Sequence, residues 1–237
     1  MLLKIENLAV KGNEKEILSD INFEMKKGEI QALLGPNGSG KTVFSQAILG
    51  NPKYKITRGK IFFEGKNITK FSPEKKVKLG LALTWQSPPT IKGVKLSALL
   101  SKISKKDENI SRFVGDDELL KREINVDSSG GEKKISELLQ VLALNPKLVI
   151  FDEIDSGLDI KRLEKVAKII KRELTDKKVS VLLITHWGQI LNYLKPDWTQ
   201  VMLNGKIICK ERNFRKVLRT IKKYGYEKCE KCPFLAG

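Results

Sequence analysis

The octet Gly35-Pro36-Asn37-Gly38-Ser39-Gly40-Lys41-Thr42 has the spacing G-x-x-x-x-G-K-[ST], and its residue types suit the holding of a phosphate chain. Gly38 and Gly40 let backbone N–H groups close on phosphate oxygens, because neither carries a Cβ to block the approach. A helix starting at this point adds partial positive charge. Lys41 is long enough to reach β- and γ-phosphates, and the Thr42 hydroxyl is a ligand type for Mg²⁺. With Gly35, Pro36, Asn37, Ser39 and the following Val43, these residues make the candidate nucleotide-binding set.

Further residues of chemical interest follow apolar runs. "LVIFDE" ends in Asp152 and Glu153, two adjacent carboxylates at the carboxyl end of a strand, where ligands gather in open α/β sheets. Burying such a pair is costly unless it serves a cation or a proton transfer. Asp152 is therefore the candidate Mg²⁺ partner and Glu153 the candidate general base for an attacking water. His186, the one histidine, follows "VSVLLIT" and is placed to touch a γ-phosphate. Gln86, in "LTWQSPP", is a candidate to sense both Mg²⁺ and water. "SSGGEKK" puts Ser129, Gly130 and Gly131 before a helical segment, a second N-terminus able to face an anion.

The elements that must position these residues are legible in outline. "LLKIENLAV", "ILSDINFEM" and "IQALLG" read as strands, the last apolar enough to be buried on both faces. "TVFSQAILG" has helical spacing closed by Gly50, and "GKIFFEGKNI" reads as a hairpin turning at Glu64-Gly65. Leu96, Leu99, Leu100 and Ile103 form a helical stripe, and "DDELLKREI" suggests a second helix capped by Asp116 or Asp117. "ISELLQVLALN" and "RLEKVAKIIKREL" read as helices, "LVIF" and "VSVLLIT" as buried strands, and "TQVMLNGKIICK" as a terminal hairpin. Strands alternating with helices imply βαβ units and a parallel sheet, with an antiparallel element attached.

The 237 residues suffice for a sizeable core, and 41% apolar with 31% charged residues suits a globular chain. No apolar run reaches the roughly 18–20 residues of a membrane span, and the start lacks a secretory layout, so a cytoplasmic location is expected. The net charge of +17 favours anionic partners, but lysines are spread along the chain without a basic block interleaved with aromatics. Cys209, Cys229 and Cys232 form an odd set better suited to reduced thiols than to disulfides.

Taken together and in order, "GPNGSGKT", Gln86, "SSGGE", "LVIFDE", "SGLD" and His186 resemble the ATP-binding-cassette (ABC) ATPases over nearly the whole chain. The resemblance implies an α/β P-loop NTPase core with a mostly parallel sheet, an antiparallel β subdomain and a small inserted helical subdomain. It implies one domain over 1–237, with the catalytic core at 1–89 and 128–237, a shortened helical subdomain at 90–127 and a tail at 224–237. It also implies ATP and Mg²⁺ as ligands, with Thr42, Gln86 and Asp152 on the metal and Lys41, Gln86, Glu153 and His186 in catalysis. In that family two subunits pack head to tail, so Ser129, Gly130 and Gly131 complete the partner's site and Asp159 lines the seam.

"GNPKYKITRGKIFFEGKNIT", "WQSPPTIKGV", "ELLQ" and "FDEIDSGLDI" resemble the SufC-type branch, soluble ATPases of iron–sulfur cluster assembly that pair with SufB-like scaffolds. The rival implication is the nucleotide-binding subunit of an ABC membrane transporter. Ser128 stands where relatives usually carry Phe or Leu, and Ile135 where SufC-type chains usually carry Arg. No aromatic occupies residues 9–20, where many ABC proteins stack a ring on adenine. Cys229-x-x-Cys232 reads either as a metal or cluster half-site, completed by Cys209 or a partner, or as a solvated tail with reactive thiols.

Overall fold

The computed structural model of the chain describes residues 1–104 and 117–231. An antiparallel sheet takes the order β2-β1-β4-β5, from Lys15–Met25, Leu3–Gly12, Lys55–Phe63 and Lys66–Asn67. A second sheet takes the order β12-β11-β3-β10-β9-β6. Its strands are Lys206–Glu211, Trp198–Leu203, Ile30–Leu34, Ser180–Thr185, Leu148–Asp152 and Leu81–Thr84. Every pairing in it is parallel except β11 with β12.

The continuous apolar runs of β3, β9 and β10 are explained by burial on both faces. Side chains alternate across the pleat, so the same strands feed two cores. Ala32, Leu34, Val149, Phe151, Val181 and Leu183 enter one core, with residues of α5 (Gly130–Ala143) and α6 (Ile160–Ile170). Leu33, Leu148, Ile150, Leu182 and Ile184 enter the other, with Phe44, Ala47 and Ile48 of α1 (Lys41–Leu49) and the antiparallel sheet. At the tip of the β4–β5 hairpin Glu64 and Gly65 both take positive φ, the geometry that matches strand twist.

The segment after Gln86 differs from the all-helical expectation. Ile91–Lys95 (β7) pairs antiparallel with Glu123–Ile124 (β8), flanking α3 (Leu96–Ile103) and α4 (Asp117–Lys121). "REI" thus ends in a strand rather than continuing a helix. Asp117 is already the first helical residue, and Asp116 lies outside the described residues. Leu96 and Leu100 of the expected stripe are buried, with Leu99 and Ile103 packed beside them. Three helices escaped the sequence reading: α2 (Pro73–Leu79), α7 (Leu191–Leu194) and α8 (Phe214–Tyr224).

In the described part of the tail Tyr224, Gly225, Glu227 and Lys228 are exposed and Tyr226 is half-buried, while the Cys229 thiol is inside rather than solvated. Cys229 is buried in the same core as Cys209, while Cys232 lies outside the described residues. Among the described residues there is no group of three or more His, Cys, Asp or Glu able to hold a metal. No described helix is long and apolar enough to cross a membrane.

A buried lysine links α2 to the far end of α1. Lys76 of α2 is fully buried and its ammonium donates to the Ile48 carbonyl at 2.8 Å, at the negative end of the helix dipole. Burial pushes Lys76 down to about 8 from the usual 10.5. Between those values the unfolded chain binds the extra proton, so stability rises with pH across that window. Relative to Lys76→Met, the native chain should gain roughly 2–3 kcal/mol between pH 8 and 10.5 in urea unfolding. Parallel pH curves for the two proteins would show that this lysine carries no such strain.

Candidate functional site

The carboxyl ends of β3, β9 and β10 lie side by side, because register pairs Leu34 with Thr185 and Asp152 with Ile184. The phosphate-type loop leaves β3 and enters α1 through Gly38 and Gly40, at φ of 78° and 106°. A Cβ on Gly35 would lie 2.4 Å from the Met202 carbonyl oxygen and 2.6 Å from Ser39 Oγ, so the loop is seated directly on β11. The Lys41 ammonium folds across the loop and donates to the Gly35 and Pro36 carbonyls at 2.8 and 2.9 Å. Burial lowers its affinity for the proton, opposed by Glu153 and Asp152. Ser39 Oγ is buried with no hydrogen-bond partner.

Asp152 is 1% exposed at the end of β9. Its oxygens accept from the Ser45 hydroxyl at 3.0 Å and the Thr42 hydroxyl at 3.4 Å, tying β9 to α1. Burial pushes its carboxyl up, and those two hydroxyls and Lys41 pull it back. The Thr42 hydroxyl and the Asp152 carboxylate meet here as hard oxygen ligands, and Gln86, on the wall of the same cavity as Thr42, carries a third in its amide oxygen. That set fits Mg²⁺, and the glycine-opened loop with a buried cation fits a phosphate chain.

Glu153 sits at φ 54° just past the strand and is itself buried. It accepts from Gln86 Nε2 at 2.7 Å and lies 3.1 Å from His186 Nδ1. A carboxylate, an amide and an imidazole from three separate strand ends therefore meet at one point. A cavity of about 390 Å³ opens beside them, walled by Ile17, Asn37, Gly38, Gly40, Lys41, Thr42, Val43, Gln86 and Glu153. Ile17 occupies the wall from the stretch that lacks an aromatic, an aliphatic contact that no motif marked.

Ser129, Gly130, Gly131 and Asp159 do not line this cavity. Ser129 caps α5 in a reciprocal box with Glu132, and Asp159 caps α6 by accepting from Arg162 N at 2.9 Å. Ser129 and Gly130 are exposed. A Cβ on Gly131 would meet Arg162 Cδ at 2.8 Å, which explains a glycine there within this chain. Ser128 turns its hydroxyl back to the Val126 carbonyl at 3.1 Å, and Ile135 joins the core.

Residues outside the motifs support the site. Thr185 Oγ1 donates to Asp155 Oδ2 at 2.8 Å and accepts from Trp187 N and Gly188 N at 3.2 and 3.0 Å, shaping the turn that presents His186. Tyr226, beyond α8, donates its phenol to the His186 carbonyl at 3.0 Å. A second, mainly apolar cavity of about 600 Å³ separates the His186 turn from α8. Lys134 of α5 donates to the Gln86 carbonyl at 3.1 Å, and Glu137 accepts from Trp85 N at 2.8 Å. Burial pushes Glu137 up to about 7, against the Trp85 N–H and Lys134, with Asp152 adding to the rise.

Comparison with known proteins matches this architecture. The profile of the ABC transporter family covers residues 18–156. A probable ATP-dependent transporter, ycf16, of Antithamnion sp. is 39% identical over 246 residues, covering 96% of this chain and 97% of its own. Vegetative protein 296 of Bacillus subtilis (strain 168) is 39% identical over 223 residues, covering 87% of this chain and 85% of its own. A nucleotide-free ATP-binding cassette from an ABC transporter superposes with TM-score 0.81 at 25% identity, covering 96% of this chain and 98% of that one. The chain belongs to the ABC ATPase family, whose cassettes bind ATP with Mg²⁺ and hydrolyse it.

Proposed function

We propose that this ATPase works at composite sites of a head-to-tail dimer and drives rearrangement of a SufB-like scaffold in cytoplasmic iron–sulfur cluster assembly. The observation that carries the dimer reading is spatial. The loop, Gln86 and Glu153 share one cavity, while the exposed Ser129 and Gly130 stand outside it on the N-terminus of α5. A helix N-terminus with free N–H groups suits a phosphate held by another copy.

Within the cavity each residue has a defined task. The N–H groups of the loop and the Lys41 ammonium hold the β- and γ-phosphates, with Ile17 against the nucleoside side. Thr42, Asp152 and Gln86 would hold Mg²⁺, which supplies charge neutralisation on the phosphate oxygens. Glu153 takes a proton from water as its oxygen attacks the γ-phosphorus and the bond to the bridging oxygen breaks. His186 supports the γ-phosphate while its Nδ1 side is held by Glu153 at 3.1 Å.

The scaffold reading is supported by "FDEIDSGLDI" and its companion stretches, and by exposed apolar residues in the segment that follows β6. Trp85, Ile91 and Val94 are exposed large apolar residues on the loop after β6 and on β7. Large apolar side chains left at the surface suit contact with a protein partner. The relatives named as transporter ATP-binding proteins favour a second reading, a transporter subunit. Affinity purification decides between them: a soluble SufB-like protein supports the first, a polytopic membrane protein the second.

Two substitutions test the chemistry. Glu153→Gln should bind Mg-ATP without turning it over and elute as a dimer in sizing with Mg-ATP. A variant that stays monomeric with ATP bound would sink the composite site. Thr185→Val should lower stability by about 1–3 kcal/mol, since two N–H groups and Asp155 lose their partner. Its turnover should fall more than its ATP affinity, measured by steady-state kinetics and nucleotide titration.

A further inference from the structure

Between α5 and the loop that carries Trp85 and Gln86 the chain is joined by side-chain bonds of opposite polarity, Lys134 Nζ also reaching the Trp85 carbonyl at 3.5 Å. Glu137 Oε1 accepts from the N–H of Trp85 at 2.8 Å, and Lys134 Nζ donates to the carbonyl of Gln86 at 3.1 Å. Lys134 and Glu137 stand three apart on α5 and so share one face of that helix. Both are at least nine-tenths buried, at 5% and 6% exposure. The segment they grip is the one from which Gln86 reaches Glu153 at 2.7 Å.

A buried carboxyl is costly in the core, and Glu137 Oε2 has no hydrogen-bond partner. A residue placed only for stability would leave neither that oxygen unsatisfied nor a carboxyl so far inside. What the position gains is reach: its side chain spans from α5 to a backbone N–H in the residue directly before Gln86. We propose that Glu137 is a positioning residue for the reaction, clamping the Gln86 loop to the helix that carries Ser129, Gly130 and Gly131. The clamp fixes the Gln86 amide against Glu153. It also makes that contact follow any movement of α5. Resting on the composite-site reading, it further links the Gln86–Glu153 pair at one ATP to the contact that Ser129, Gly130 and Gly131 make with the other.

The mechanism depends on an acceptor at a given distance, and not on charge. Glu137→Gln keeps length and acceptor and drops the charge; Glu137→Asp keeps the charge and shortens the arm by one methylene. Steady-state ATPase assays on the full chain should give Glu137→Gln a kcat within about two-fold of the native value. Glu137→Asp should lose kcat on the order of 10-fold with KM for ATP little changed, because geometry and not nucleotide binding is disturbed.

An active Glu137→Asp, or a Glu137→Gln as impaired as Glu137→Asp, would overturn the proposal, with melting curves showing both variants folded. The dimer reading is tested separately by adding Glu153→Gln to each variant. Mg-ATP dimers in sizing with lost turnover in Glu137→Asp assign the defect to the clamp. Failure of Glu153→Gln alone to dimerise removes the composite site and the link between the two ATP sites with it.

Discussion

The hydrogen bond from Ser45 to Asp152 is the join on which the site depends. It fastens α1, and therefore the loop ahead of it, to the end of β9. Asp152 is almost wholly inside, where an unpaired carboxylate would cost several kcal/mol. The Ser45 and Thr42 hydroxyls and nearby Lys41 offset part of that cost, and a divalent cation would offset much of the rest. The carboxyl ends of these apolar strands, where α1 supplies hydroxyls and Lys41, are where a buried carboxylate finds partners. Lys41, Gln86, Asp152, Glu153 and His186 are gathered there, at or just beyond the carboxyl ends of β3, β6, β9 and β10.

Much of this was legible because buried parallel strands write themselves plainly. "IQALLG", "LVIFDE" and "VSVLLIT" each combine an apolar run with a polar terminus, so strand and chemistry are found together. The loop octet was legible because glycine spacing and Lys-Thr leave few alternatives. The meeting of Gln86, Glu153 and His186 could be anticipated only as three strand ends. Their hydrogen bonds needed the strand order, which no local pattern encodes.

What stayed hidden was of two kinds. β7 and β8 are short, and β7 is exposed along its whole length, so no burial alternation marks it. Their pairing is a long-range event that neither segment announces. Glu137, Lys134 and Lys76 look like ordinary charged residues on helices, and only packing reveals that they are inside. By contrast α8 carried usable signals, with Asn213 as cap and Phe214, Val217, Leu218 and Ile221 at helical spacing. Its place beside the His186 turn through Tyr226 did not follow from them.

The same helix, α5, presents its N-terminus outward and its second turn inward. Its capping box uses the Ser129 N–H and leaves those of Gly130 and Gly131 at the open end, while Lys134 and Glu137 face the loop after β6. A rigid rod held at both ends transmits displacement with little loss, since packed interiors are hardly compressible. Ser129 and Gly130 at the surface and a buried clamp one turn below therefore amount to a short lever. Whatever anion seats on the exposed end must push against the loop that carries Gln86, and the Gln86–Glu153 contact is the first place where that push becomes chemistry.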